Sequence, residues 1–314
     1  MDRWELLHRI TAFPLSAGGL SEELLAGGFR SVFKGQGIEF DEARHYQMGD
    51  DARFIDWNAS ARFGEPYVKM YREEREFSVF IILDCSPSMR TSLLSAGPEE
   101  MNSYEQAVLA AALIAFSAEK AGQRVGALFF DRDITQVFPP RKGRPHIMAI
   151  LAAALESPAD SSPPGESAAQ SNLRAALVGT GRFLKRRSMV VALSDFFCSA
   201  WEDEFEDLAI RHDLIALGVG NPPDGNFPGI GLIPLEDPET GVSLFGLSKF
   251  SSFRKDWSQW TQGRRDHVEG LCRRAGADCV FLPSPEETPG ALSRFFGARK
   301  NLQRVRRRAG GGLQ

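Results

Sequence analysis

A chain of 314 residues with 43% hydrophobic and 25% charged side chains has the composition of a folded globular protein, which excludes a fibrous or wholly disordered chain and allows one α/β domain with a smaller companion. The formal net charge of -4 gives nucleic acid no overall attraction, so no nucleic-acid partner is expected. Cys85, Cys198, Cys272 and Cys279 lack the paired spacing of a zinc site or a disulfide framework, which suits reduced thiols in a cytoplasmic protein.

Residues 1–15 mix Asp2, Arg3, Glu5, His8 and Arg9 among their apolar neighbours, so no uninterrupted signal-peptide core is present. From 29 to 76 charged and aromatic residues alternate without a long apolar run. That segment reads as a small N-terminal module, residues 1–76, with too little apolar content to build an independent core. Residues 77–314 form the main domain.

The run Val79-Phe80-Ile81-Ile82-Leu83 has the continuous hydrophobicity of a strand covered on both faces, as in the middle of a parallel sheet. Similar runs recur at 125–130, 189–193 and 214–219, separated by helical patterns. The alternation predicts an α/β sheet. The first helix, about Ser103–Lys120, is apolar nearly all round over 107–116 and is expected to be buried on more than one side. That stretch, the longest apolar one, is far short of the roughly 20 residues that cross a bilayer, so no transmembrane segment is expected. Residues 134–139 read as an edge strand. A second helix opens near Pro145 and shows one apolar face through Ile147, Ile150, Leu151, Ala154 and Leu155, with Pro158 ending it. Residues 157–170, rich in Pro and Ser, read as a surface loop, and a helix follows from Leu173. After Gly220 the pattern loosens into an irregular C-terminal extension, with a turn at 235–241 between two short strands and a last helical stretch from about Phe250.

Chemistry gathers where strands end. Asp84-Cys85-Ser86-Pro87-Ser88 closes the first central strand with one carboxylate and two hydroxyls at alternating positions. Asp195 follows the run Met189-Val190-Val191-Ala192-Leu193-Ser194 and so closes another such strand. Parallel strands deliver their carboxyl ends to one edge of a sheet, so these oxygens converge by topology. Ser171, just before the helix at Leu173, brings a third hydroxyl to that edge. All five are hard oxygen donors of the kind magnesium prefers. Asp84 and Ser86 capping backbone groups in a turn is the plainer alternative.

Asp84-x-Ser86-x-Ser88, Ser171 and Asp195 resemble, in order and spacing, the metal-ion-dependent adhesion site of von Willebrand factor A (vWA) domains. The resemblance implies a vWA-like, Rossmann-like fold, a Mg2+ or Mn2+ ion held by Asp84, Ser86, Ser88, Ser171 and Asp195, and an open position for an Asp or Glu of a protein partner. The family's third segment carries threonine, and Ser171 keeps only its hydroxyl. Upstream, Gly35-Gln36-Gly37-Ile38-Glu39-Phe40, Arg44-His45-Tyr46, Gly49-Asp50-Asp51-x-Arg53-x-Ile55-Asp56-Trp57 and Ala61-Arg62 are similar to the bacterial "domain of unknown function 58" (DUF58) family, as is Asp237-Pro238-Glu239-Thr240-Gly241. Kinship with that family implies an adaptor or chaperone-like role beside a MoxR-type AAA+ ATPase. Read from the residues alone, Asp50, Asp51, Arg53, Asp56 and Arg62 are expected to form salt-bridged turns that clamp the N-terminal module onto the main domain, with Trp57 as apolar anchor, direct contact with a partner being the alternative.

The chief alternative is a magnesium-dependent phosphatase or phosphotransferase using Asp84 as nucleophile. Haloacid dehalogenase-type enzymes place a second acid two residues later, where this chain has Ser86. No Gly-x-Ser-x-Gly elbow surrounds Ser86 or Ser88, so a non-enzymatic, metal-dependent interaction protein is the expectation. Gly35-x-Gly37 lacks the Gly-Lys-Ser/Thr ending of a phosphate loop and reads as a turn. The basic tail of Arg299, Lys300, Arg304, Arg306, Arg307 and Arg308 reads as a solvated, disordered segment without assigned function.

Overall fold

A computed structural model describes residues 38–47, 50–73, 78–90, 101–156, 171–220, 232–236, 243–247 and 251–310. The expectations for residues 1–15, for the Gly35-x-Gly37 turn, for the loop at 157–170 with Pro158, and for the turn residues 237–241 lie outside them. The chain divides into two compact units, Arg30–Glu76 and the remainder.

In the smaller unit, β1 (Ile38–His45) and β2 (Tyr67–Glu73) pair antiparallel, with α1 (Trp57–Phe63) between them in sequence. Asp56 caps α1 by accepting from the N–H groups of Asn58 and Ala59 at 3.1 and 3.2 Å, and Gly64, at φ 77°, closes it in the left-handed conformation that glycine adopts without penalty. Arg44 pairs with Asp50 at 2.6 Å and Arg53 with Asp51 at 2.7 Å. The signature acids are thus occupied in local turns. Trp57, expected as an apolar anchor, is 73% exposed. Among its described side chains only Val68 is buried, which agrees with its thin apolar content.

The larger unit is an α/β sheet flanked by helices. In chain order its elements are β3 (Ser78–Asp84), α2 (Pro87–Arg90), α3 (Ser103–Lys120), β4 (Arg124–Phe130), β5 (Ile134–Arg141), α4 (Arg144–Glu156), α5 (Leu173–Phe183), β6 (Met189–Ser194), α6 (Glu202–Arg211) and β7 (Asp213–Gly218). There follow β8 (Leu232–Glu236), β9 (Ser243–Leu247), α7 (Ser251–Ala275), β10 (Asp278–Phe281) and α8 (Thr288–Gly310). The main sheet has the order β10-β7-β6-β3-β4-β5, parallel except for the antiparallel edge strand β5, while β8 and β9 form a separate antiparallel pair.

β3 lies between β6 and β4, and every residue from Val79 to Asp84 is buried, because both of its faces are covered. Strand alternation divides the two faces. Phe80 and Ile82 join Val190, Ala192, Leu214 and Ala216 in a core closed by α5, α6 and α7. The opposite face lies under α3, which also packs against α4 and α8 and is therefore buried through most of its length. Asn102 and Glu105 start α3 with a reciprocal capping box.

The extension beyond Gly220 holds the helix expected from about Phe250, which is α7, and more regular structure than its pattern suggests after it: the sixth strand β10 and the long helix α8. The basic tail begins inside that helix. Arg299, expected in solvent, is buried and paired with both Asp213 and Asp278. Two acids near the amino ends of β7 and β10 create a site that only a cation can fill, and so draw the arginine inward.

Candidate functional site

β3 and β6 are parallel neighbours with Leu83 opposite Leu193. One residue further, Asp84 faces Ser194 across the spacing of about 4.8 Å between adjacent strands, and the Ser194 hydroxyl donates to Asp84 Oδ2 at 2.6 Å. The sheet ends here, with the Cys85 N–H donating to the Phe130 carbonyl at 2.7 Å. The chain then turns sharply. Asp84 Oδ1 accepts from the Ser86 N–H at 3.0 Å, the local bond by which aspartate favours turns. Pro87 opens α2, as its missing N–H and fixed φ allow. This geometry brings the Ser86 and Ser88 hydroxyls within 3.1 Å of each other.

Ser171 arrives from a distant part of the sequence. Asn172 caps α5 through its side chain, accepting from the Ala175 N–H at 2.9 Å, and donates its own N–H to the carbonyl of Asp131 just beyond β4 at 2.8 Å. Those two bonds fix the start of α5 at the carboxyl edge of the sheet. The Ser171 hydroxyl consequently lies 3.4 and 3.5 Å from the two oxygens of Asp84, donating to both over a long reach.

Asp195 follows β6 directly. Its Oδ1 accepts from the Phe197 N–H at 2.9 Å, and the Ser88 hydroxyl also bonds its carboxylate. The five oxygen-bearing residues read from the sequence therefore form one connected cluster. Ser194 also belongs to it, as the close partner of Asp84.

Burial sets the electrostatics. Asp84 and Asp195 are only 1% and 6% exposed. Burial and the Asp195 charge push the Asp84 carboxyl up to about 7, against the lowering effect of the Ser194 and Ser86 bonds. Burial also raises Asp195, opposed by the Phe197 N–H, the Arg264 charge and the Ser88 hydroxyl. Two buried like charges resist simultaneous ionisation unless a countercharge enters. Arg264 of α7 meets part of that need, donating to the Asp195 carbonyl. The nearby Cys198 thiol, raised by burial and by both aspartates, stays protonated.

The loop that holds Asp195 is tightly constrained. Phe196 has φ 56° and Ala200 φ 60°, a region that residues with a Cβ rarely occupy. The Ser194 hydroxyl accepts from the Phe196 N–H at 2.9 Å, and the Phe196 ring is buried 5.3 Å from that of Trp201. Ser194 thus serves both carboxylate and loop.

Sequence reading missed Ser194, Asp131 and Arg264. Ser194 was visible as the hydroxyl residue before Asp195, and parallel pairing with the strand of Asp84 was its signal. Asp131 follows β4 at the same edge with a buried oxygen, Oδ1, that has no hydrogen-bond partner among the described residues, and burial raises its carboxyl. Arg264 had no local signal, because its role depends on where α7 packs.

The donor set suits a divalent metal: two buried carboxylates in need of positive charge beside three hydroxyls, all hard oxygens. Among the described residues no three His, Cys, Asp or Glu side chains cluster as metal ligands, so any cation here relies on serine hydroxyls and solvent to complete its shell.

Sheet and cluster define the class: an α/β protein whose distinctive chemistry sits on an oxygen-lined rim at the carboxyl ends of parallel strands. The family follows from comparison. Residues 42–267 match the family described as "Protein of unknown function DUF58", and the chain belongs to it. Relatives include uncharacterised proteins of Mycobacterium tuberculosis and Mycobacterium bovis, each 30% identical over 281 residues, covering 88% of this chain and 84% of theirs. An aerotolerance-related membrane protein from Bacteroides fragilis is similar in structure with a TM-score of 0.44 and 13% identity over 71% of this chain and 99% of its own. The conserved hypothetical protein BatB from Bacteroides thetaiotaomicron has a TM-score of 0.42 and 15% identity over 72% of this chain and 99% of its own. Among the described residues no helix is long and apolar enough to cross a membrane.

Proposed function

We propose that this chain is a non-enzymatic protein-interaction module that works through a divalent metal, Mg2+ or Mn2+, held by Asp84, Ser86, Ser88, Ser171 and Asp195. One observation carries the reading: two buried carboxylates stand at the ends of neighbouring parallel strands, both raised by burial and Asp84 also by the Asp195 charge, while hydroxyls crowd around them. When bound, the cation supplies a positive centre to which a partner's carboxylate can add. The protein's own residues do the rest: Ser194 and the Ser86 N–H orient Asp84, and the Phe197 N–H orients Asp195.

The vWA resemblance of the site gives the mode of recognition, an Asp or Glu presented by another protein. DUF58 kinship supplies the partner this reading favours, a MoxR-type AAA+ ATPase, with the chain as adaptor or chaperone-like component. A cytoplasmic setting goes with it and is supported by four cysteines that form no disulfide. The phosphatase alternative asks Asp84 to act as nucleophile, yet the position two residues on, where haloacid dehalogenase-type enzymes carry a second acid, is Ser86.

Thermal melting in Mg2+ or Mn2+ against chelator, followed by pull-down of the ATPase in the same two conditions, tests the reading. A metal-dependent rise in Tm and metal-dependent capture are expected. Metal-dependent turnover of a phosphate ester, abolished by Asp84→Ala, would transfer the case to the enzyme.

A further inference from the structure

A cleft adjoins the rim on the side of α7, lined by Asp195, Phe197, Thr261, Arg264, Arg265 and Phe281. Phe197 begins an aromatic row that runs from this lining onto α7: the rings of Phe197 and Trp260 lie 5.3 Å apart, and those of Trp260 and Trp257 lie 5.3 Å apart. Phe197 is 38% exposed and Trp260 49% exposed. Arg264 lies over the Phe197 ring with its guanidinium carbon 3.1 Å from the centroid, and 5.6 Å from that of Trp260.

Arg264 does not spend all its donors. One nitrogen bonds the Asp195 carbonyl, while the buried Nη1 has no hydrogen-bond partner among the described residues. A buried guanidinium nitrogen left unpaired is costly and calls for an acceptor. The cleft thus combines an unsatisfied cationic donor, a second arginine and partly exposed aromatic rings, contiguous with Asp195. Arginine and tryptophan are the side chains that dominate binding energy at protein interfaces.

We propose that this cleft is the anchoring subsite for the partner's recognition segment, and that the segment is an acidic-aromatic peptide: an Asp or Glu directed to the rim beside an aromatic residue that packs on the exposed faces of Phe197 and Trp260, next to the Arg264 and Arg265 cations. The direction of the acid rests on the metal reading above; the aromatic anchor rests on the cleft alone. A single-stranded nucleic acid also uses aromatic and arginine platforms, and competition with an oligo-dT strand distinguishes it from a peptide.

Calorimetric titration of the full chain in Mn2+ with three Gly/Ser-based peptides, carrying Glu-Trp, Gln-Trp or Glu-Ala at the centre, tests the inference. Glu-Trp is expected to bind about tenfold more tightly than Glu-Ala. Trp260→Ala erases that ratio while leaving the isotherm for Mn2+ alone unchanged, and Arg264→Gln weakens all three peptides. If Mn2+ alone gives no binding heat, the metal reading has failed; the cleft still stands if the preference of Glu-Trp over Glu-Ala persists in chelator and vanishes in Trp260→Ala. Equal binding of Glu-Trp and Glu-Ala, a ratio that survives in Trp260→Ala, no binding by any peptide, or displacement of Glu-Trp by an oligo-dT strand overturns the proposal.

Discussion

The chemistry of this protein turns on single oxygen atoms. Asp84 is held by donors on both sides, so Asp84→Asn preserves its shape while removing the charge. The variant is expected to melt identically in Mg2+ and in chelator, where the wild-type Tm differs between the two. Ser194→Ala has a different effect, because that hydroxyl both donates to Asp84 and accepts from the Phe196 N–H. Its loss leaves Asp84 more prone to hold a proton and releases a residue kept at positive φ. A cost of about 1–3 kcal/mol in denaturant unfolding, together with weaker Mn2+ binding, is the expected outcome. Asp84, Ser86, Ser88 and Asp195 were legible because each carries its own signal, an oxygen at the end of an apolar run. Ser194 was hidden by that same rule, since it stood inside the run and was counted as strand.

Elements are joined here by buried polar devices as well as by apolar packing. Arg299 ties α8 to β7 and β10 through Asp213 and Asp278. Arg299→Ala strands the buried Asp213 and is expected to cost about 3–5 kcal/mol, measured by urea unfolding. At the start of β7, His212 accepts from the Ser188 N–H at 3.3 Å and is buried. Burial, then the Arg211 and Arg187 charges, depress it from 6.5 to about 4. The unfolded chain therefore takes up a proton near pH 6.5 that the folded chain refuses until about pH 4. Its contribution to stability is complete above pH 6.5 and is lost as pH falls toward 4, by up to roughly 3 kcal/mol. The urea midpoint of His212→Gln should fall less than that of wild type over this interval. Between β4 and β5 the backbones approach so closely at Gly126 that an added Cβ would meet the Phe138 carbonyl oxygen at 2.8 Å. Gly126→Ala is expected to destabilise the sheet edge by about 1–3 kcal/mol in the same assay.

At the scale of the whole molecule, the sheet order brings residues from three separated stretches of chain to one rim. The alternation of buried runs with helical patterns disclosed that sheet, and with it the meeting of Asp84 and Asp195. What followed Gly220 was less legible for physical reasons. β10 has only four residues, too few to establish a period, and α8 joins an apolar first half, with Leu292 and Phe296 buried, to a basic second half that resembles a solvated tail. The inward turn of Arg299 depends on acids at Asp213 and Asp278, which no local pattern connects to it. Arg264 and its cleft were equally hidden, since they exist only because α7 packs against α6 and β10. The most direct measurement is a Mn2+ titration of the chelator-treated full chain by calorimetry, with Asp84→Asn and Asp195→Asn beside the wild type. One equivalent of Mn2+ bound by the wild type and none by either variant is the predicted result. Wild type that binds no more Mn2+ than the variants do would contradict it.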